Sequence, residues 1–130
     1  MTTRPKPSAV VFAKDVAALA GFYSQVAEMK PVHSDNDHVV LETDGFQLVV
    51  HGVPPHIART IHISTPPQLR EATPLKLCLP VGSIATARAQ AAALGGLIAP
   101  PAREWSARGF TACDGHDPEG NVFQVRESAG

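Results

Sequence analysis

One succession of segments occurs twice in this chain: a short apolar strand, a helix, and then three more short strands. In the first half, "SAVVFA" (residues 8–13) is apolar and β-branched and reads as a strand. Asp15 follows at the place of a helix N-cap, where its carboxylate can accept from the unpaired amides of a first turn. Residues 16–29, "VAALAGFYSQVAEM", set Val16, Leu19, Ala20, Phe22, Tyr23 and Val26 at helical spacing and leave Ser24, Gln25 and Glu28 for solvent. The runs "PVHSD", "HVVLET" and "FQLVVH" come next, punctuated by Asp and Asn and by the hairpin dipeptide Asp44-Gly45. In the second half "LKLCLPV" is a strand, and Ser83 N-caps the Ala-rich helix "SIATARAQAAAL", which Gly95-Gly96 stops. The strands "GLIAPP", "GFTACDG" and "NVFQVRE" complete the repeat, with Gly120 before its last strand as Gly45 stands before the first module's last. A repeated supersecondary order constrains topology strongly. The predicted class is α+β, with two tandem βαβββ modules (about residues 7–51 and 75–127) in a single domain of residues 1–130.

The composition agrees with a folded chain and removes several partners. A length of 130 residues suffices for one hydrophobic core, and 44% hydrophobic with 18% charged residues is ordinary for a globular domain. The formal charge is −1, which supplies no electrostatic footprint for nucleic acid or an anionic membrane. No apolar run approaches the roughly 20 residues of a membrane span. The start "MTTRPKPSAVVF" lacks the apolar core and cleavage site of a signal peptide, so a cytoplasmic location is expected. Cys78 and Cys113 have no CxxC spacing and read as small buried hydrophobes rather than a disulfide or thiolate zinc site.

Residues 52–74 form an unusually long connection for a compact domain. Within it "RTIHIS" alternates like an extra strand, while prolines 54, 55, 66, 67 and 74 stiffen the rest. A surface crossover is one reading; an arm that covers a cleft or exchanges with a second subunit is the other.

The stretches "KDVAALAGFYSQVAEMKPV" and "ALGG…DPEGNVFQVRE" resemble the opening and the close of the vicinal oxygen chelate superfamily, which includes glyoxalase I, extradiol dioxygenases and bleomycin-resistance proteins. The likeness covers about residues 7–127. It implies that each module curls into half of a glyoxalase-like open barrel around a cleft, and that a homodimer is to be expected. Metal-dependent members hold their ion on the first and last strand of each module. Those places correspond here to Ser8, Val49, Lys76 and Gln124, with Leu48 the occupant if the first module shifts by one residue. Metal sites need imidazole or oxygen donors that can release a proton and converge at about 2 Å. A hydroxyl, a methyl group, an ammonium and an amide are not such a set, so the expectation is no metal at this place and no cofactor.

Strand alternation indicates what faces the cleft instead. Phe46, Leu48 and Val50 form the packed face of "FQLVVH", leaving Gln47, Val49 and His51 for the cleft; likewise Phe123 and Val125 pack inward and leave Val122, Gln124 and Arg126. Ser8, Val10 and Phe12 join from the first strand, with Lys76 and Cys78 from the fifth. Apolar walls with a few polar handles suit a small organic ligand. With Lys76 and Arg126 both pointing in, a carboxylate or phosphate is favoured; Arg126 near a strand end can equally reach solvent. Trp105, in "PAREWSARGF", reads as a stacking lid, a subunit contact or a buried plug.

Two functions compete on these residues. One is a metal-free small-molecule-binding protein of the glyoxalase/bleomycin-resistance type. The other is a glyoxalase- or dioxygenase-like enzyme using a non-standard metal set or acid/base chemistry at His51, Lys76 or Glu42. His51 with His56 or His62 is the candidate displaced metal set, whereas His33 and His38 read as exposed turn residues. The acids of "DGHDPEGN" and His116 read as turn chemistry at the rim, with Asp117 accepting from a following amide and Gly120 supplying positive φ.

Overall fold

The computed structural model describes residues 4–130. The absence of a leader was inferred partly from residues 1–3, which lie outside the described residues. The first module contains β1 (Ser8–Ala13), α1 (Val16–Val26), β2 (Lys30–Ser34), β3 (His38–Thr43) and β4 (Phe46–Gly52). A short helix α2 (Pro55–Ala58) follows, and then β5 (Leu77–Pro80), α3 (Ile84–Ala93), β6 (Leu97–Ile98), β7 (Trp105–Ala107), β8 (Phe110–His116) and β9 (Val122–Ser128). Two open, curved sheets result, ordered β1-β4-β3-β2 and β5-β9-β8-β6, with β7 paired to β8. In both, the strand before the helix lies parallel to the module's last strand and the remaining pairs are antiparallel. The expected α+β class and repeated order therefore hold.

Local chemistry accounts for the element ends. The Asp15 carboxylate accepts from the Ala18 amide at 3.0 Å, and the Ser83 hydroxyl accepts from that of Thr86 at 3.1 Å. α1 stops earlier than its apolar periodicity suggests because Glu28 takes a left-handed φ of 54°. Strand β7 is absent from the sequence reading. Arg108 and Gly109, at φ 44° and 84°, form the two-residue turn joining it to β8. Such a turn needs two positive φ values and is usually marked by Asn-Gly or Asp-Gly, so the arginine concealed it.

The strand expected at "RTIHIS" does not form; a turn and irregular backbone follow α2 there. Pro55 suits the first helical position because its missing N–H would be unpaired there anyway. Further on, the linker docks on the second module. The Arg70 amide donates to the Gly120 carbonyl at 2.8 Å, and Arg70 bridges Asn121 in parallel. Gly120 is required twice over: its φ is +89°, and a Cβ there would stand 2.1 Å from the Gln68 carbonyl oxygen.

One core serves both modules. Leu19, Phe22, Tyr23 and Val26 of α1 join Leu41, Leu48 and Val50 of the first sheet with Ile98, Cys113, Phe123 and Val125 of the second. On α3 the buried residues Ile84, Ala87 and Ala91 form a narrow stripe whose small side chains let α1 approach. The Phe22, Tyr23 and Phe123 rings pack mutually with centroids 5.3 to 5.7 Å apart, so α1 is locked to the opposite sheet as well as its own. Of the cysteines, Cys113 is buried as expected but Cys78 is exposed, because it lies on the open face of edge strand β5.

The turn between β8 and β9 corrects the sequence reading most. Asp117 is fully buried rather than at the rim. Its Oδ2 accepts from the Tyr23 hydroxyl at 2.7 Å and from Asn121 Nδ2 at 2.8 Å, while Oδ1 accepts from the amides of Glu119 and Asn121 at 2.9 and 3.0 Å. Glu119, also buried, accepts from the amides of Lys14 and Asp15 at 2.9 and 2.8 Å, which puts its charge at the start of α1. The acidic turn is thus a staple between modules.

Two outcomes follow. Asp117→Ala orphans a buried hydroxyl and two amides and is expected to cost about 3–5 kcal/mol in urea unfolding; a loss below about 1 kcal/mol would contradict the staple. Burial first, and then the charge and hydrogen bond of Asp117, raise the Tyr23 pKa well above its ordinary value. Tyr23 is the sole tyrosine, so absorbance at 295 nm should show no tyrosinate in the folded protein near pH 10. The unfolded chain releases this proton first, so the phenol's contribution to stability is complete below about pH 10 and is lost as pH rises further.

Candidate functional site

The open face of the first sheet is built in three rows by strand register. Ser8 pairs with Gln47, which pairs with Glu42; Val10 pairs with Val49 and then Val40; Phe12 pairs with His51 and then His38. All six first-module residues expected to face the cleft therefore share this face, and Leu48 and Val50 are buried on the other side. The first row is polar: Gln47 Nε2 donates to Glu42 at 2.8 Å and Lys6 Nζ at 2.6 Å. These partners, Gln47 before Lys6, hold the Glu42 carboxyl below the usual carboxylate range. A carboxylate so stabilised is a poor general base near neutral pH.

The third row gathers the histidines. His38 and His51 stack with centroids 5.6 Å apart and planes inclined by 8°. His38 Nδ1 lies 2.8 Å from Asp37 Oδ1, and His51 Nε2 lies 3.8 Å from Asp37 Oδ2. His51 Nδ1 lies 2.8 Å from the Gly52 carbonyl oxygen, which can only accept, so Nδ1 is the donor there and the neutral ring has its lone pair on Nε2. The hydrogen bond with His38 is the main cause that lowers the Asp37 pKa. His33 adds a further ring 5.2 Å from His38. The linker histidines do not join: among the described residues, the side chains that could share an ion with His51 are Asp37 and His38, not His56 or His62. His38 was misread because "DNDH" looks like a turn, whereas it is the first residue of β3 and the register partner of His51.

On the second sheet a chain of polar contacts crosses the open face. Lys76, one residue before β5, donates through Nζ to Asp114 Oδ2 at 3.0 Å. Gln124 Nε2 donates to Asp114 Oδ1 at 3.1 Å, and Gln124 Oε1 accepts from Arg126 Nε at 2.7 Å. The Arg126 guanidinium lies over the Phe110 ring, 4.4 Å from its centroid, and Arg108 approaches the same ring at 5.0 Å. Arg126 is therefore half-buried and held over the sheet rather than released to solvent, and Gln124 is buried because its amide is enclosed in this chain. Cys78 is the register partner of Gln124 and stands exposed beside it. Trp105 is 44% exposed and edge-on to Phe110 at 6.0 Å, which excludes the buried plug. Asp114, Phe110 and Arg103 were missed; register across β8 and β9 places the first two here, and such pairing cannot be read from a strand alone.

The linker closes one side. Leu69, Glu71, Thr73 and Leu75 face Lys76, Arg103, Asp114, His116 and Val122 around a cavity of about 430 Å³. A smaller cavity of about 190 Å³ brings Val10 of β1 to Leu75, Leu77 and Val122, at the junction of the sheets. The structure thus places the expected residues in two sets, one on the open face of each sheet, and Val10 and Val122 line a common cavity at the junction.

This fold, two βαβββ units with open sheets around shared helices, is that of the vicinal oxygen chelate superfamily. A family model described as "Glyoxalase-like domain" matches residues 8–126, and the chain belongs to that family. A glyoxalase/bleomycin resistance protein/dioxygenase family enzyme from Burkholderia phytofirmans PsJN superposes with a TM-score of 0.64 at 17% identity, covering 93% of this chain and 96% of that one. A glyoxalase/bleomycin resistance protein from Albidiferax ferrireducens gives 0.65 at 16% identity, again with 93% and 96% coverage. A mutant of the fosfomycin resistance protein FosX from Listeria monocytogenes, complexed with Mn(II) and 1S,2S-dihydroxypropylphosphonic acid, gives 0.63 at 14% identity, covering 100% and 92%. These likenesses establish the fold. No curated protein matches the chain significantly.

At the places where the resemblance puts a metal, the residues do not fit one. Val49 offers only methyl groups, the Lys76 ammonium is paired with Asp114, and the Gln124 amide is bonded on both sides. The one carboxylate beside Gln124, Asp114, is already engaged by Lys76 and by Gln124 itself. Among the described residues no helix is long and apolar enough to cross a membrane.

Proposed function

We propose that this protein binds a small organic anion on the open face of its second sheet without a metal at Gln124. The observation that carries the reading is the state of Arg126. Its Nε is fixed by Gln124 and its plane by Phe110, while its two terminal nitrogens have no protein acceptor among the described residues. A guanidinium already ordered in this way loses little further entropy on receiving a carboxylate or phosphonate in bidentate geometry. Phe110 and the exposed Trp105 offer ring faces for an apolar body. That a FosX structure of this fold holds a phosphonic acid supports the anionic class.

Trp105 is the sole tryptophan and stands beside this face, so its emission reports occupancy. Phenylphosphonate and benzoate are expected to quench it saturably, whereas neutral benzyl alcohol does so far more weakly. Arg126→Met should weaken phenylphosphonate binding by about 10- to 100-fold, the loss expected for a charge-assisted pair. Equal binding by the variant, or equal binding of benzyl alcohol, would refute the assignment.

The reading includes a homodimer. Val10, Phe12 and Leu75 are 52%, 60% and 83% exposed, more apolar surface than the groove of one chain covers. Light scattering should return twice the chain mass, and Phe12→Glu should shift it toward one; a monomer at all concentrations would remove this part. The alternative is an enzyme using His51, favoured by the fixed tautomer that leaves His51 Nε2 as an available base. Turnover of a bound carbonyl compound, abolished in His51→Gln, would establish it in place of simple binding.

A further inference from the structure

We propose that Asp37, His38 and His51 form a site for a borderline divalent metal of the Zn²⁺, Ni²⁺ or Cu²⁺ class, at the end of the first sheet and independent of the anion site on the second. One ligand atom from each residue already lies within 4.8 Å of the others. Tetrahedral coordination at about 2.0–2.1 Å needs donors roughly 3.4 Å apart, so a contraction of at most about 1.4 Å completes the set. Two of the donors cannot wander: His38 and His51 are register partners on adjacent strands, and their rings are stacked.

The tautomer of the neutral His51 ring is also set. The Gly52 carbonyl accepts from His51 Nδ1, an orienting contact of the kind that metal-bound histidines use, and leaves Nε2 with its lone pair on the side of Asp37. Asp37 is 63% exposed and can swing toward an ion without disturbing packing. Two imidazoles and one carboxylate suit first-row transition metals and disfavour Mg²⁺ and Ca²⁺, which prefer all-oxygen shells. Three protein donors leave a position open, and Phe12, 60% exposed, stands 6.0 Å from the His51 ring on the same face of the sheet. His33 belongs to a separate group with Asp35 and His38 rather than to this set. None of these residues occupies the places that the family resemblance assigned to a metal.

The test is calorimetric titration of the full, untagged chain with ZnCl₂ and NiCl₂, with MgCl₂ as control. One equivalent is expected to bind at micromolar or tighter affinity. His51→Gln and His38→Gln should each lower that affinity at least 10-fold, and Asp37→Asn, at an exposed position that leaves folding intact, by several-fold. His56→Gln should have no effect. Imidazole proton resonances of His38 and His51 should shift on addition of Zn²⁺ even if the His38 variant folds poorly. The proposal is overturned if no stoichiometric binding occurs, if MgCl₂ binds as well as ZnCl₂, or if binding survives His51→Gln and is lost with His56→Gln.

Discussion

A single buried carboxylate sets the geometry on which the rest depends. Asp117 has no access to water and holds four donors: the Tyr23 hydroxyl from α1, the Asn121 side chain and two amides of its own turn. A charge in the interior is tolerated only when it is hydrogen-bonded as fully as this. The consequence reaches well beyond the turn. Glu119, two residues on, is aimed at the start of α1, and Gly120 offers the linker a docking carbonyl. The same turn launches β9, so the positions of Gln124 and Arg126 descend from it.

From that frame the two open faces acquire different chemistry despite a common topology. The first sheet presents a polar row, an aliphatic row and a row of rings ending in His38 and His51. The second carries a polar chain from Lys76 through Asp114 and Gln124 to Arg126. At Gln124 the difference is between ligating and orienting. An amide whose donor and acceptor are both engaged does not hold a cation; it holds Arg126 at a fixed angle over Phe110. The proposed transition-metal site lies two positions along β4 from Val49, at His51, with Asp37 from the β2–β3 turn and His38 from the start of β3 as its partners.

The architecture was legible because two independent signals agreed, helical spacing of apolar residues in α1 and alternation in β4 and β9. Both burial patterns followed, with Leu48, Val50, Phe123 and Val125 inward. What escaped was pairing between segments distant in sequence. Tyr23 and Asp117 are 94 residues apart, so nothing local reveals that an acid in a turn is buried against a helix. His38 was hidden by its polar neighbours, and its stacking with His51 depends on hairpin register. β7 was hidden by a turn built on Arg108. The linker alternation at "RTIHIS" misled in the opposite sense, since an alternating segment that pairs with no neighbouring strand stays irregular.

The central claim is that Arg126, posed by Gln124, receives an anion with no metal between them. A crystal structure of the protein with phenylphosphonate tests it most directly. The account predicts phosphonate oxygens on the terminal nitrogens of Arg126, with Gln124 still bridging Arg126 Nε and Asp114. A phosphonate held elsewhere, or coordinated through a metal ion beside Gln124, would contradict it.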